Sequence, residues 1–590
     1  MTDPSKPTAD LKPREEAAQL SLARQLRTTA RAVAASPAGR AVGLLCAAIV
    51  LVVVATAYGQ IRLNRWNKPF YDALSRRDLR DFLFQLGVFF LIAFVILCLN
   101  VAQRWLVETL ELKLREGLVR SLLGDWMLPR KAFWLANSGS MGVNPDQRIH
   151  EDARKLCELS ADLGTGLLQA SILFGTFASV LWVLSDTFTL RFEDHDYTIP
   201  GFMVWSAILY ALGGSLLSYR VGRSLIDRSA ERYSREAALR FSLVRVNEHV
   251  DAISLAEGEE GEKRRIELNL SNVLAATRRI VMGHTNLTWV TAGFGWVTVV
   301  APILVAAPLY FTGKVSFGGL MMAAGAFTQA QSSLRWFIDN FSAIADWRAT
   351  LHRVASFRHA LLTTHEPQGF ASRINYAEGD PGAIRLDELH IVSSANDDRL
   401  AEGHVVLKAG ERTLILAAPG TGKTQLFRAL AGLWPWGTGQ VTRPRGEPIA
   451  YMPRGTPYLP RGTLREVLAY PLKAEGFDPP GFARALYRLG LERLAPLLDE
   501  TRRWDRELSQ DEQLCLAFAR VLMQKPPWVL IDGLLAGLDE DVLTVVMDVF
   551  AKELSSTALI HIGGAGDAHG MFSNVVHLVK AAESDPGSGT

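Results

Sequence analysis

The stretch RTLILAAPGTGKTQ, Arg412 to Gln425, decides the fold of the C-terminal part of this 590-residue chain. A short β-like run leads into a glycine-rich loop, and a helix is predicted from Gln425 onward. Backbone N–H groups in such a loop, together with the N-terminus of the helix, form a cradle for anions. The order of strand, loop and helix therefore predicts an α/β domain that holds the phosphates of a nucleotide.

The side chains of this loop indicate which groups would hold the nucleotide. Lys423 is placed to reach the β- and γ-phosphates, and the Thr424 hydroxyl is placed to ligate Mg²⁺. The usual pattern, G-x-x-x-x-G-K-[ST], starts with a glycine where this chain has Ala417. Two loop glycines remain, so one added methyl need not abolish phosphate binding. We therefore predict ATP and Mg²⁺ as cofactors, with five cofactor-binding residues: Gly420, Thr421, Gly422, Lys423 and Thr424. A structural loop that only resembles the motif is the alternative.

A second strand is predicted in WVLIDGLLAGLDE, Trp528 to Glu540, where four apolar residues precede Asp532. In P-loop ATPases a second strand brings its aspartate to the metal held by the loop. We therefore predict Thr424 and Asp532 as the magnesium ligands. A buried strand that merely ends in an aspartate is the alternative, and the P-loop earlier in the chain favours the metal role.

The N-terminal part of the chain has the composition of a membrane protein. The chain is 48% apolar and only 21% charged, and the apolar residues are concentrated locally. A helix of about 20 residues crosses roughly 30 Å of hydrocarbon. Six windows of at least this length contain no charged residue, which predicts six spans: 41–61, 82–103, 164–185, 198–219, 285–313 and 315–334. A buried helix of a soluble protein could explain one such window but not six.

These patterns divide the chain into a tail, two domains, a linker and a second tail. We predict an α-helical six-span membrane domain followed by an α/β P-loop nucleotide-binding domain. The boundaries are a cytoplasmic N-terminal tail over 1–40, the transmembrane domain over 41–357, a linker over 358–383, the nucleotide-binding domain over 384–580 and a disordered tail over 581–590.

The charge distribution predicts the orientation. An even number of spans places the N-terminus and the nucleotide-binding domain on one side, which should be the cytoplasm. The long basic segments 104–163 and 220–284 would then face inward, as the positive-inside rule requires. The basic loop 62–80 would face outward and conflicts with that rule. The net charge of only +2 gives no field for nucleic acid, so no nucleic-acid partner is expected.

Four further motifs resemble ABC transporters, and together they cover nearly the whole chain. They match the branch that joins the peroxisomal fatty-acyl transporters to bacterial ones related to the BacA/SbmA peptide transporters. The motifs are NRWNKPFYDAL at 64–74, NPDQRI at 144–149 with Glu151 and Asp152, NEHVDAI at 247–253 with EGE at 257–259, and LAGLWP at 430–435.

The resemblance implies a half-transporter with an exporter-type membrane domain. Such chains form a homodimer, or a heterodimer with another half-transporter, and sandwich two ATP molecules between opposed nucleotide-binding domains. Location in the bacterial inner membrane as a multi-pass protein in the lipid bilayer follows from the same resemblance. So does transport of peptides or other small amphipathic substrates, with the direction left open.

The chain departs from the family at positions that carry hydrolysis. The signature motif reads LSQDEQ, so that the predicted signature and dimer-contact residues are Ser509, Gln510, Asp511 and Asp539, with Asp511 in place of a glycine. Arg454 stands where a glutamine is usual. Gly533 and Gly564 occupy the positions of the water-polarising glutamate and the switch histidine. No catalytic residue is therefore predicted, and ATPase activity stays an open question.

These departures share one pattern. The groups that hold nucleotide and metal persist, whereas those that position water, sense the γ-phosphate or close the dimer are altered. Loss of a general base alone typically costs about 10²–10⁴-fold in rate. We predict a transporter that binds ATP and hydrolyses it poorly. Two alternatives are a proton-coupled secondary transporter with a vestigial nucleotide domain, for which Glu108 and Glu111 are candidate proton carriers, and the inactive half of a heterodimer. A membrane regulator that does not transport is a third.

Overall fold

A computed structural model of the protein describes residues 22–137, 144–185, 189–192, 195–198, 200–311, 313, 315–363, 372–393, 397–418, 420–564 and 572–580. These residues form two compact units. The membrane unit contains the described residues within 22–127 and 144–363. The nucleotide unit contains the described residues from 372 onward and also the segment 128–137. The predicted disordered tail 581–590 and the first part of the predicted N-terminal tail lie outside the described residues.

The membrane unit is a bundle of helices with one short hairpin. Its helices are α1 Leu22–Ala35, α2 Gly39–Ser75, α3 Leu79–Trp126, α5 Pro145–Ser185, α6 Phe202–Gly222, α7 Ser224–Glu248, α8 Val250–Leu255, α9 Glu259–Phe311, α10 Phe317–Asp339 and α11 Phe341–Thr363. The hairpin pairs β1 Thr189–Phe192 with β2 His195–Thr198 in antiparallel fashion.

Among the described residues, five helices are long and apolar enough to cross a membrane, namely α2, α3, α5, α6 and α9. The sixth predicted window, 315–334, forms helix α10, which does not reach the same apolarity. Small buried residues line α10, and a Cβ atom built on Gly318 would lie 2.1 Å from the carbonyl oxygen of Lys68. Small residues let helix backbones approach closely in a membrane bundle. Six spans were predicted, and five helices are apolar enough to cross a membrane. The difference is α10, whose small residues suit close contact with neighbouring helices.

Several helices are far longer than a bilayer requires. Helix α3 has 48 residues and helix α9 has 53. At about 1.5 Å per residue, each spans about 70–80 Å, compared with roughly 30 Å of hydrocarbon. Within the basic segment 220–284, helices α7 and α8 are separated only at His249, and α9 follows from Glu259. The basic segments are therefore extensions of the spans.

Two of the family-like motifs stabilise contacts within the membrane unit. Asp72, in the first motif, accepts hydrogen bonds from the Gly318 N–H at 2.9 Å and from the Ser316 hydroxyl at 3.0 Å, at the start of α10. Asp152, in a π-helical turn of α5, is 3% exposed and is paired with Arg353 of α11 at 2.8 Å and with Arg148 at 2.5 Å. A buried carboxylate needs such partners, so these motifs join helices that are distant in sequence.

The nucleotide unit is an α/β domain. Its strands are β3 Asn375–Gly379, β4 Ala383–Val392, β5 Asp397–Leu400, β6 His404–Lys408, β7 Arg412–Ala417, β8 Gly437–Pro444, β9 Ile449–Met452, β10 Gly462–Thr463, β11 Thr501–Arg502, β12 Trp528–Asp532, β13 Ala558–Gly563 and β14 Asn574–Lys580. Its helices are α4 Lys131–Ala136, α12 Lys423–Leu430, α13 Leu464–Ala469, α14 Pro479–Arg488, α15 Trp504–Glu507, α16 Gln510–Gln524 and α17 Glu540–Lys552, with 3₁₀ turns at Ala474–Gly476, Glu492–Leu497 and Leu535–Gly537. The strands predicted at 412–417 and before Asp532 are confirmed as β7 and β12.

Ten strands form the main sheet, in the order β3-β8-β4-β5-β14-β7-β13-β12-β9, with β6 paired to β4. The central strands β14, β7, β13, β12 and β9 are parallel to one another. All five residues of β12 are buried. This burial explains the uninterrupted apolar run WVLI, because a strand covered on both faces has no solvent side. The parallel strands end at one edge of the sheet.

The predicted linker between the two domains, 358–383, contains helix and strand at its ends. Helix α11 continues to Thr363, and β3 starts at Asn375 and pairs with β8, so both ends of the predicted linker 358–383 are structured. The short helix α4 interrupts the predicted transmembrane domain 41–357 and belongs to the nucleotide unit. There the Phe133 ring lies 6.0 Å from the Arg428 guanidinium of α12. A segment between two long membrane helices therefore packs on the helix that follows the P-loop.

Candidate nucleotide site

Four adjacent parallel strands bring the predicted site together. Strands β7, β13, β12 and β9 lie side by side, so their carboxyl ends meet at one sheet edge, where open α/β sheets bind ligands. The P-loop follows β7, and Gly564 follows β13. Gly533 follows β12, and Arg454 lies two residues beyond β9. Positions that are more than 100 residues apart in sequence therefore share one edge.

The departure at Ala417 leaves the P-loop geometry undisturbed. Ala417 is the last residue of β7, is 5% exposed and pairs with Leu578 of β14. Strand geometry accepts a methyl group, so glycine is not required there. The left-handed position falls at Gly420, where φ is 77° and a side chain would be strained. Helix α12 then begins at Lys423, directly after Gly422.

The two predicted magnesium ligands are in contact. The Thr424 hydroxyl donates to Asp532 Oδ2 at 3.0 Å, and Asp532 is 1% exposed. Burial raises the pKa of Asp532, whereas the Thr424 hydroxyl and the positive charges of Arg454 and Lys423 oppose that rise. A hydroxyl and a carboxylate are the hard oxygen donors that suit Mg²⁺. The described residues contain no group of three or more His, Cys, Asp or Glu that could hold a metal.

The positions expected to carry hydrolysis offer no side chain. Gly533 has a φ of 63°, and its N–H donates to the carbonyl oxygen of Ile562 at 2.9 Å. A Cβ atom built on Gly564 would lie 3.6 Å from Lys423 Nζ, so this position borders the predicted phosphate site. The nearby His561 is fully buried, and its ring stacks on Phe572 with 5.9 Å between centroids.

Arg454 places a positive charge at the sheet edge that carries the predicted magnesium ligands. Met452, the last residue of β9, pairs with Ile531 of β12, so the chain beyond it runs beside Asp532 and Gly533. Arg454 is exposed, and within the described part of the chain its guanidinium forms no hydrogen bond or ion pair. Burial raises the pKa of Asp532, and the charge of Arg454 opposes that rise. Arg454 therefore places a positive charge close enough to Asp532 to act on its carboxyl group.

The signature segment forms the start of a helix that already carries negative charge. Ser509 and Glu512 form a capping box at the N-terminus of α16, and Asp511 lies in the same first turn. Acidic residues stabilise a helix N-terminus, but they disfavour a phosphate there. Asp539 is exposed at the N-cap of α17. Among the described residues no hydrogen bond or ion pair joins Ser509, Gln510, Asp511 or Asp539 to the P-loop.

Sequence reasoning missed Asp398, which contacts the P-loop directly. Asp398 lies on β5, is 2% exposed, and its Oδ2 accepts a hydrogen bond from the Gly422 N–H at 2.9 Å. Burial raises the pKa of this carboxyl, and the Gly422 N–H and Lys580 oppose the rise. The signal was present in the alternation of Asp397 to Leu400, which puts Asp398 on the same face as Leu400. An acidic residue on the inner face of a strand needs a partner.

In the membrane unit, polar side chains pair with each other. Glu108 forms an ion pair with Arg104 at 2.7 Å. The amide of Gln103 donates to Gln169 at 3.1 Å, and that of Gln329 donates to Gln60 at 3.1 Å. Both amide pairs join different helices. These contacts favour a structural role for the side chains that they join, including Glu108, which the sequence offered as a candidate proton carrier.

Two family models match the chain in the regions that correspond to its two units. The model for ABC transporter transmembrane region 2 matches residues 32–311, and the ABC transporter model matches residues 400–536. The second match includes the P-loop, the signature segment and β12. The first includes the five apolar helices identified above.

Curated relatives match most of the chain. The inner membrane ABC transporter ATP-binding protein YddA of Escherichia coli is 26% identical over 87% of this chain and 91% of its own length. An uncharacterized ABC transporter ATP-binding protein of Synechocystis is 27% identical over 79% and 70%, respectively. The chloroplastic ABC transporter D family member 2 of Arabidopsis thaliana is 26% identical over 84% and 78%. With a membrane region and an ATP-binding domain joined in one multi-pass chain, the protein is an ABC half-transporter.

Proposed function

We propose that this half-transporter binds ATP with Mg²⁺ but hydrolyses it poorly, while it moves peptides or other small amphipathic molecules across the bacterial inner membrane. The observation that supports impaired hydrolysis is the sheet edge itself. Lys423, Thr424 and Asp532 are present there, whereas the two neighbouring hydrolytic positions, Gly533 and Gly564, have no side chain. A carboxylate that could polarise water is therefore missing next to Asp532.

In the proposed site, each remaining residue has one role. The backbone N–H groups from Gly420 to Thr424 would cradle the phosphates, and Lys423 would neutralise the β- and γ-phosphates. Thr424 and Asp532 would hold Mg²⁺ at the phosphate oxygens, where the ion supplies charge neutralisation. The negative first turn of α16, around Asp511, would weaken closure of a dimer over a bound γ-phosphate.

The transport substrate, the bacterial membrane and the cytoplasmic orientation are proposed from the motif resemblance and from the basic extensions of the spans. ABC transporters of the D family typically dimerise as half-transporters, so we propose a homodimer or a heterodimer with a second half-transporter. Helix α4 would be one path between nucleotide and membrane, since it connects to α3 in the chain and contacts α12.

The experiment compares wild-type protein with Lys423→Ala after purification and reconstitution in lipid nanodiscs. Binding of a fluorescent ATP analogue and release of phosphate are measured on the same samples. We expect the wild type to bind Mg-ATP and to release phosphate at nearly the background rate of Lys423→Ala. Rapid phosphate release that Lys423→Ala abolishes would overturn impaired hydrolysis, and absence of any nucleotide binding would overturn the proposed site.

The transport part is tested separately, in a deletion strain supplied with a panel of labelled peptides. Uptake or efflux that depends on the intact gene and is lost in Lys423→Ala supports ATP-dependent transport. Transport that survives Lys423→Ala and follows the proton gradient would instead establish the secondary-transporter alternative. Co-purification of a half-transporter that has its own glutamate at the position of Gly533 would establish the heterodimer.

A further inference from the structure

We propose that the Asp398 carboxylate is an internal competitor for nucleotide phosphate at the P-loop. The proposal rests on the proposed ATP binding and deepens it, because it names a residue that lowers the affinity of the same site. Nothing in the P-loop motif requires an acidic residue on the strand beside it. The carboxylate comes from β5, which precedes the loop by more than 15 residues.

The carboxylate and a phosphate would compete because the Gly422 backbone has only one N–H to donate. The Gly422 backbone has a single N–H, and that N–H donates to Asp398 Oδ2 at 2.9 Å. In a P-loop the backbone N–H groups are the donors for phosphate oxygens. One N–H cannot serve a carboxylate and a phosphate with full strength at the same time. Asp398 therefore occupies a donor that a nucleotide would need.

The negative charge of Asp398 would also repel a phosphate, in addition to the competition for the N–H. Asp398 is 2% exposed, so water screens its charge little. A Cβ atom built on Gly422 would lie 2.8 Å from Asp398 Oδ2, which shows how closely the carboxylate approaches the loop. An entering phosphate would meet a like charge beside the loop. Nucleotide binding therefore requires the carboxylate to move or to lose its charge.

The carboxylate is held by one oxygen only, which makes it displaceable. Asp398 Oδ1 is buried and accepts no hydrogen bond from any described residue. A buried oxygen without a partner raises the free energy of the contact. Lys580 of β14 pairs with Asp398 in strand register, is exposed, and its Nζ lies 3.3 Å from a Cβ atom built on Gly420. A displaced carboxylate would find this cation beside the loop.

The test measures equilibrium binding of Mg-ATP to the full-length protein in nanodiscs, for wild type and for Asp398→Asn. Asparagine keeps an acceptor for the Gly422 N–H but removes the charge. We expect the Kd to fall by about tenfold, equivalent to about 1.4 kcal/mol. The matched control is Asp397→Asn, which removes the same charge from the exposed neighbouring residue of β5 and should leave the Kd unchanged.

A second pair of measurements distinguishes competition from a merely structural contact. Pyrophosphate competes for the phosphate cradle and should bind more tightly to Asp398→Asn, whereas adenosine has no phosphate and should bind equally to both proteins. Asp398→Ala should strengthen Mg-ATP binding as well. If Asp398→Asn and Asp398→Ala bind Mg-ATP no better than the wild type, the carboxylate only orders the loop and the proposal is overturned.

The outcomes also separate this proposal from the proposed function. If the wild type binds Mg-ATP in a Lys423-dependent way and Asp398→Asn binds equally well, ATP binding stands and the competition fails. If the wild type, Asp398→Asn and Asp398→Ala all fail to bind Mg-ATP, both proposals fall. Binding that appears only in the Asp398 variants would support the competition in its strongest form.

Discussion

Two groups of positions share the carboxyl edge of one sheet but differ in what they present to a ligand. Lys423, Thr424 and Asp532 have the side chains that we propose hold phosphate and metal, and the last two are hydrogen bonded. Gly533 and Gly564 have none, although Gly564 borders Lys423. The backbone of parallel strands sets where these positions meet, and the side chains alone set the chemistry. Binding and hydrolysis can therefore be lost separately from one scaffold.

The largest expected effect comes from restoring side chains at Gly533 and Gly564. The triple variant Gly533→Glu, Gly564→His, Asp511→Gly should raise the phosphate-release rate by up to about 10²–10⁴-fold, the usual contribution of a general base. Gly533→Glu alone should give much less, because Gly564 and Asp511 would still lack the groups that sense the γ-phosphate and close the dimer. Both variants share the cost of about 1–2 kcal/mol for a residue with a Cβ in the left-handed backbone at 533. Phosphate release in nanodiscs measures both. The control adds Lys423→Ala to the triple variant and should remain inactive. Full activity from Gly533→Glu alone would contradict the expectation.

Truncation of Lys423, which we propose binds phosphate, should have the next largest effect. Lys423→Ala should weaken Mg-ATP binding by about 30-fold or more, as expected when one partner of a close charge pair is truncated. Equilibrium titration with a fluorescent ATP analogue measures the change. Lys552→Ala removes a lysine from α17, where it pairs with Asp548, and serves as the control. Equal affinity in wild type and Lys423→Ala would show that this loop does not hold phosphate.

A smaller effect is expected at the boundary between the two groups, where Arg454 approaches Asp532. Arg454→Gln should make ATP affinity more dependent on Mg²⁺, by about two- to fivefold, in line with the modest energies of exposed charges. Affinity is measured with Mg²⁺ and with EDTA. Arg445→Gln is the control, since Arg445 is also exposed and pairs instead with Glu378. An unchanged ratio of the affinities with Mg²⁺ and with EDTA would show that Arg454 does not influence the magnesium site.

The smallest effect is expected at the departure that the structure explains as harmless. Ala417→Gly restores the usual first glycine of the loop, yet it should change Mg-ATP affinity by less than about twofold. Glycine within a strand costs about 0.5–1 kcal/mol, so the melting temperature should fall slightly. Thermal unfolding and nucleotide titration on the same preparation test both. A large gain in affinity would show that the Ala417 methyl obstructs the phosphate.

Local sequence pattern was enough to predict much of the fold and to propose which residues bind phosphate and metal. The run from Arg412 to Gln425 predicted strand, loop and helix, and β7 and α12 confirm it. The uncharged windows predicted the apolar helices, because a helix in hydrocarbon must avoid charge along its whole length. These features depend on residues close in sequence, so a single chain shows them.

The sequence by itself determined which chemical groups are present: a P-loop lysine and threonine, a strand aspartate, and glycines where hydrolysis usually places a glutamate and a histidine. Only the tertiary structure decided which groups meet. It placed Gly564 beside Lys423, put Arg454 at the strand next to Asp532, packed α4 on α12, and directed Asp398 to the Gly422 N–H. Such contacts depend on strand order and register between distant segments, which local periodicity does not encode.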